Sequence, residues 1–246
     1  MKQTELIMGM PITIEVVDKA AGKYFKALFD YFREVDRQYS TYKKDSEISR
    51  INAGLPKSKW SREMKMVLDL CEKTKKDTKG YFNISHHGKI DPSGLVKGWS
   101  IANTAKILLN HKVTNFYIEA GGDIQVSGKD KDSKPWIVGI RNPFNMNEII
   151  KTIAVASEGV ATSGTYIRGQ HIYDPFRPEA TIKRVKSLTV IGLNIYDADR
   201  YATAAFAMGE QGIGFIESIP ELEGYMVTDD KLATYTSGFE RYVVNV

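Results

Sequence analysis

Three short segments carry residue types and spacings suited to chemistry on a phosphate ester. In DPSGLVKGWS (91–100), Asp91 is followed by Gly94, Lys97 and Gly98 as a helical pattern begins. Glycines let a backbone approach an anion closely, a helix N-terminus offers N–H groups without helical partners, and Lys97 adds a cation. Such a segment could cradle a diphosphate; its spacing is neither G-x-G-x-x-G nor the Walker sequence, and an Asp-Pro turn with a solvated lysine is the alternative. In ATSGTYIRGQHIYDP (161–175), a small polar turn is expected at Thr162, Ser163 and Gly164. Arg168 can fork onto a phosphate or carboxylate, and His171 has a side chain suited to taking a proton from a hydroxyl at neutral pH. A structural or surface histidine is the alternative, and Ser163 lacks the G-x-S-x-G elbow of a serine hydrolase. In DADRYAT (197–203), Asp197, Asp199 and Thr203 offer hard oxygen ligands suited to Mg²⁺, with helix capping by Asp197 or Asp199 as the alternative. Taken together, the three describe metal-assisted chemistry on a phosphoester or diphosphate.

Other candidates are weaker. Gly121-Gly122 between two strand-like runs reads as a tight turn. His86-His87 reads as surface decoration, because neighbours in a strand point to opposite faces. Tyr39 and Tyr42 flank Ser40-Thr41 and either stack on a planar ring or form a generic aromatic loop.

The elements that must position these residues follow from periodicity. Residues 6–17 read as an early strand with an edge or bulge at Pro11. From Lys23 to Tyr39, Phe25, Leu28, Phe29, Phe32 and Val35 fall on one helical face. After a polar segment (39–52), Ser61 with Glu63 opens a second helix that Gly80 is placed to stop. A third helical pattern starts between Gly94 and Gly98. Residues 116–120, 123–128, 135–140, 151–156 and 186–193 are short β-rich runs, followed by a helix near 197–209, a further amphipathic piece near Ile213 and terminal strands around YMVTD and RYVVNV. Without strict βαβ alternation the expectation is one α+β domain over 1–246, with a mixed, mostly antiparallel sheet and flanking helices.

The chain of 246 residues is 42% hydrophobic and 26% charged, which excludes collagen-like and broadly disordered classes. Thirty-four Lys and Arg against 30 Asp and Glu leave +4, far short of the basic stripe of a nucleic-acid binder. Cys71 is the only cysteine, which rules out an intrachain disulfide and a Cys-rich zinc site. With no signal-like leader and no stretch of about 18 apolar residues, a cytoplasmic protein without membrane insertion is expected.

Eight segments resemble, in order, those of the flavin transferase (ApbE) family: IMGMPI, FREVDRQYSTYKKDSEISRIN, GYFNIS, DPSGLVKG, EAGGDIQVSG, GVATSGTYIRG, HIYDP and DADRYATAAFAMG, spanning residues 7 to about 209. The resemblance implies an ApbE/T-fold-like domain acting as an FAD:protein FMN transferase. Family members use FAD and Mg²⁺, transfer FMN to a Thr or Ser hydroxyl of an acceptor flavoprotein as a phosphoester, and release AMP. Carried over by position, Met8, Tyr42, Tyr81, Phe82, Asn83, Asp91, Lys97, Thr162, Ser163, Gly164 and Tyr173 would bind FAD. Gly94, Asp199, Ala202 and Thr203 would hold the metal, and His171 would be the catalytic base. An FAD pyrophosphatase and a non-catalytic FAD-binding module are the alternatives; a monomer or homodimer is expected.

The departures from the family are local. Only seven residues separate Asn83 from Asp91, where relatives carry a helical insertion. Asn83 replaces a common Asp, and DPFRPEA replaces an Asp-Pro-x-Thr-Gly continuation. The chain has no Asp-x-x-(Ser/Thr)-Gly-Ala-(Ser/Thr) acceptor motif, so the acceptor is expected to be another protein.

Overall fold

The structure, a computed structural model, describes residues 1–164, 172–179, 181–182 and 184–244. Strands β1 (Lys2–Ile7) and β2 (Met10–Val16) form a hairpin whose turn is Met8-Gly9, at φ 57° and 72°. Two left-handed positions in a two-residue turn match the twist of the flanking strands, so the single strand expected over 6–17 is divided in two. Helix α1 (Phe25–Tyr39) follows a 3-10 turn and buries the apolar face read from its spacing. A short helix, α2 (Glu47–Asn52), capped by the Ser46 side chain, occupies part of the polar segment. Helix α3 (Arg62–Asp77) starts at Ser61, whose Oγ accepts from the Met64 N–H at 3.0 Å. It ends before Gly80, which adopts φ 93° and donates its N–H to the Lys75 carbonyl at 2.7 Å.

A small hairpin of β3 (Ser85–His86) and β4 (Lys89–Ile90) leads into α4 (Ser93–Asn110). Gly94 and Gly98 therefore lie inside the helix and not ahead of it. Strands β5 (Phe116–Ala120) and β6 (Asp123–Ser127) are joined by Gly121-Gly122, both at positive φ, in the tight turn expected there. A long hairpin of β7 (Trp136–Asn142) and β8 (Asn145–Val155) precedes β9 (Gly159–Gly164), so Thr162, Ser163 and Gly164 end a strand where a polar turn is expected. Its small side chains have a packing reason: a Cβ at Gly159 would fall 2.1 Å from the Ile195 backbone nitrogen. Strand β10 (Val185–Gly192), helices α5 (Ile195–Ala207) and α6 (Gly212–Glu217), and strands β11 (Glu223–Thr228) and β12 (Ala233–Tyr235) complete the chain. Where a terminal strand is expected around RYVVNV, the described residues form a 3-10 turn at Phe239–Tyr242 followed by a bridge from Val243 to Ile153, and Asn245 and Val246 lie outside the described residues.

Among the described residues eight strands form one sheet in the order β1-β2-β5-β6-β9-β10-β11-β12 with every neighbouring pair antiparallel, which agrees with the mostly antiparallel sheet expected. Alternation along the strands separates two cores. Ala161, Leu188, Val190 and Met226 join the core beneath α1, α4 and α5. Val160, Ile191, Tyr225 and Val227 join one under the β7–β8 hairpin. A third cluster holds α2 and α3 against the first half of α4 through Ile48, Met64, Val67, Leu95 and Trp99. Among the described residues no helix is long and apolar enough to cross a membrane.

Candidate active site

A cavity of about 880 Å³ opens where α4, α5, the β5–β6 turn and the end of β9 meet. Its floor is built on one close approach. A Cβ at Gly98 would lie 2.6 Å from the Asp199 Cβ and 2.8 Å from the Ile195 carbonyl oxygen. Glycine there lets α4 meet α5, and the Gly98 N–H donates to Asp199 Oδ2 at 2.7 Å. Asp199 takes no part in capping α5, which the Asn194 side chain caps by accepting from the Asp197 N–H at 2.9 Å. Asp197 instead pairs with Arg200, at 2.7 Å.

Asp199 is 3% exposed, and Lys97 Nζ stands 3.6 Å from its Oδ1. The same ammonium lies 2.6 Å from Oδ2 of Asp123, the first residue of β6. Burial pushes the Asp199 carboxyl up to about 8; Lys97 and the Gly98 N–H oppose that shift, and the adjacent Asp123 reinforces it. One helical turn beyond, the Thr203 hydroxyl donates to the Gly94 carbonyl at 3.4 Å. A carboxylate, a hydroxyl and a backbone carbonyl thus converge beside a lysine. Among the described residues no group of three or more His, Cys, Asp or Glu forms a metal cage. A cation here would draw on these hard oxygens and on oxygens of the ligand itself, which is how Mg²⁺ is usually held. Ala202 is fully buried in α5 and is not among the cavity-lining residues.

The walls gather most of the remaining candidates. Tyr42, Tyr81, Phe82, Asn83, Asp91, Thr162, Ser163, Gly164 and Tyr173 line the cavity with Lys97. Met8, in the β1–β2 turn, packs against the core and lies outside the lining. Asp91 Oδ1 accepts from the Ser93 N–H at 2.9 Å, which orders the entry to α4. Thr162 donates its N–H to Asp123 Oδ1 at 3.2 Å and shares a 2.9 Å hydrogen bond with the Thr189 hydroxyl across β9 and β10. The Tyr173 hydroxyl donates to the carbonyls of Ser85 (2.9 Å) and Asn83 (3.2 Å). Tyr42 is 96% exposed at the mouth, whereas Tyr39 is buried against Trp99 and makes no part of the cavity. His171 and Arg168 lie outside the described residues.

Sequence reasoning missed several of these residues. Asp123 reads in the sequence only as the start of a strand after two glycines; a carboxylate entering a buried strand is the available signal. His86 and His87 do not point apart. His87 adopts φ 47° in the β3–β4 turn, which brings the two rings to 3.9 Å, lining the cavity, with His86 stacked on Tyr173 at 4.0 Å.

The model of the ApbE family matches residues 8–88 and 84–226. A Vibrio cholerae protein named FAD:protein FMN transferase is 32% identical over 160 residues, covering 60% of this chain and 48% of the relative. A Haemophilus influenzae protein of the same name is 28% identical over 160 residues, covering 60% and 46%. The chain therefore spans about half the length of the curated relatives it matches. Among solved structures, flavin transferase ApbE from Vibrio cholerae superimposes with TM-score 0.83 at 22% identity, over 98% of both chains. The ApbE protein of Thermotoga maritima does so with TM-score 0.87 at 19% identity, over 100% of this chain and 99% of the other.

Proposed function

The chain belongs to the ApbE family, and from that we propose that it is a Mg²⁺-dependent FAD:protein FMN transferase, moving FMN from FAD to a Thr or Ser hydroxyl of a flavoprotein and releasing AMP. The observation that carries this reading is the oxygen-lined floor beside Lys97: the Asp199 carboxyl, the Thr203 hydroxyl and the Gly94 carbonyl, within a cavity of about 880 Å³. A pocket of that size takes a large nucleotide. The names of the relatives that the chain matches supply FAD and a protein acceptor.

In this reading Asp199, Thr203 and the Gly94 carbonyl hold Mg²⁺. Bound there, the ion would supply charge neutralisation on the diphosphate oxygens, including those of the leaving group. Lys97 offers its ammonium to non-bridging oxygens, and in β9 Thr162 and Ser163 present small hydroxyl side chains and Gly164 its backbone along the wall. Tyr42 and Tyr81 provide ring faces for a planar group. His171 takes the proton of the acceptor hydroxyl as its oxygen bonds to the FMN phosphorus; the bond from that phosphorus to the bridging oxygen breaks, and AMP departs with the electron pair. Incubation with FAD, Mg²⁺ and a protein bearing the acceptor motif tests the reading: FMN on the acceptor with matching AMP supports it. Free FMN and AMP with an unmodified acceptor would make the chain a pyrophosphatase.

A further inference from the structure

Lys97 is flanked by two buried carboxylates and is not shared equally between them. Its Nζ is 2.6 Å from Asp123 Oδ2 and 3.6 Å from Asp199 Oδ1. Asp123 is 1% exposed, and its other oxygen is engaged by the Thr162 N–H at 3.2 Å, so its orientation is fixed from the sheet. We propose that Asp123 is a positioning residue that holds the Lys97 ammonium off Asp199 and so leaves the Asp199 carboxylate to a divalent cation. The inference deepens the function proposed above and rests on its cation site.

Two cations compete for a single carboxylate. An ammonium and a divalent cation both seek the Asp199 oxygens, and in a buried setting their mutual repulsion is weakly screened. With Asp123 present, the lysine charge is matched from the β6 side. Removing the Asp123 charge while keeping its shape takes away the nearer of these two carboxylates, so the ammonium moves towards Asp199, which it already approaches at 3.6 Å, and into the place of the cation. Asp123 would thus tune cation affinity without itself being a ligand, as partners behind the ligands commonly do.

The test reads cation binding directly, in protein free of FAD, with Mn²⁺ as the probe and electron paramagnetic resonance reporting the unbound ion. Asp123→Asn, which keeps an acceptor for the Thr162 N–H, should weaken Mn²⁺ binding about tenfold. Adding Lys97→Met to that variant should restore the affinity, because the competing ammonium is gone. Binding by Asp123→Asn equal to that of the natural chain would overturn the inference. So would a double variant as weak as Asp123→Asn, since Asp123 would then be a ligand. Lys97→Met alone should bind Mn²⁺ about threefold more tightly; equal or weaker binding would overturn the inference even if Asp123→Asn failed to fold. If the natural chain bound no Mn²⁺, the cation site and this inference would fall together, while the FMN-transfer assay would still judge the transferase reading separately.

Discussion

Gly98 and Asp199 are 101 residues apart in sequence, and the backbone N–H of one holds a carboxylate oxygen of the other at 2.7 Å. The contact exists because α4 has no side chain at that point: a Cβ would stand 2.6 Å from the Asp199 Cβ. Gly98→Ala must therefore push α5 away from α4. A cost of about 1–3 kcal/mol in unfolding free energy is expected, as for other overpacked sites, together with weaker cation binding. Thermal unfolding with and without Mn²⁺ checks both; an unchanged protein would show that the approach of the helices is not needed.

The raised Asp199 carboxyl fixes the sign of a pH effect. Its ordinary value is 3.8 and its folded value about 8, so between these the folded chain keeps a proton that the unfolded chain has released. The stability this group contributes is present below the lower value and is lost as pH rises towards the upper one. A divalent cation needs the ionised carboxylate, so its affinity should rise over the same window and its binding should release a proton. Asp199→Asn should flatten the pH dependence and abolish stabilisation by Mn²⁺. Calorimetry in buffers of different ionisation enthalpy measures the proton; no release would contradict the assignment.

Tyr42 is almost fully exposed at the cavity mouth. Tyr42→Ala should leave stability within about 0.5 kcal/mol while weakening FAD binding about fivefold, the loss of one stacking contact. Fluorescence titration with FAD gives the answer, and an unaltered affinity would remove Tyr42 from the FAD site.

Tyr173 ties its hydroxyl to the carbonyls of Asn83 and Ser85, and so secures the segment leading into the β3–β4 hairpin against the cavity. Tyr173→Phe should cost about 1 kcal/mol and weaken FAD binding more than Mn²⁺ binding. Equal weakening of both would place the effect on the fold as a whole.

How much of this was legible in the sequence depended on the range of the interaction. Helix α1 was readable because its apolar residues repeat at helical spacing, and α3 because Ser61 caps it locally. The Gly121-Gly122 turn was readable for the same reason, since left-handed dihedrals are a local demand. Strand β9 was not, because Gly159 is small and Thr162 polar for reasons that lie on other elements: the Ile195 backbone and the Thr189 hydroxyl. In the site, Lys97, Asp199 and Thr203 stood out by residue type and spacing, whereas Asp123 and Gly98 act only through partners distant in sequence. His86 and His87 misled because a positive φ at His87 breaks the alternation on which the opposite-face reading relied.

The central claim is tested most directly by intact-mass analysis of an acceptor protein carrying the Asp-x-x-(Ser/Thr)-Gly-Ala-(Ser/Thr) motif, incubated with the chain, FAD and Mg²⁺, with nucleotides separated in parallel. The account predicts that the acceptor gains one FMN through a phosphoester, that AMP appears in equal amount, and that Asp199→Ala and His171→Ala each abolish the gain. An acceptor of unchanged mass beside intact FAD would contradict it.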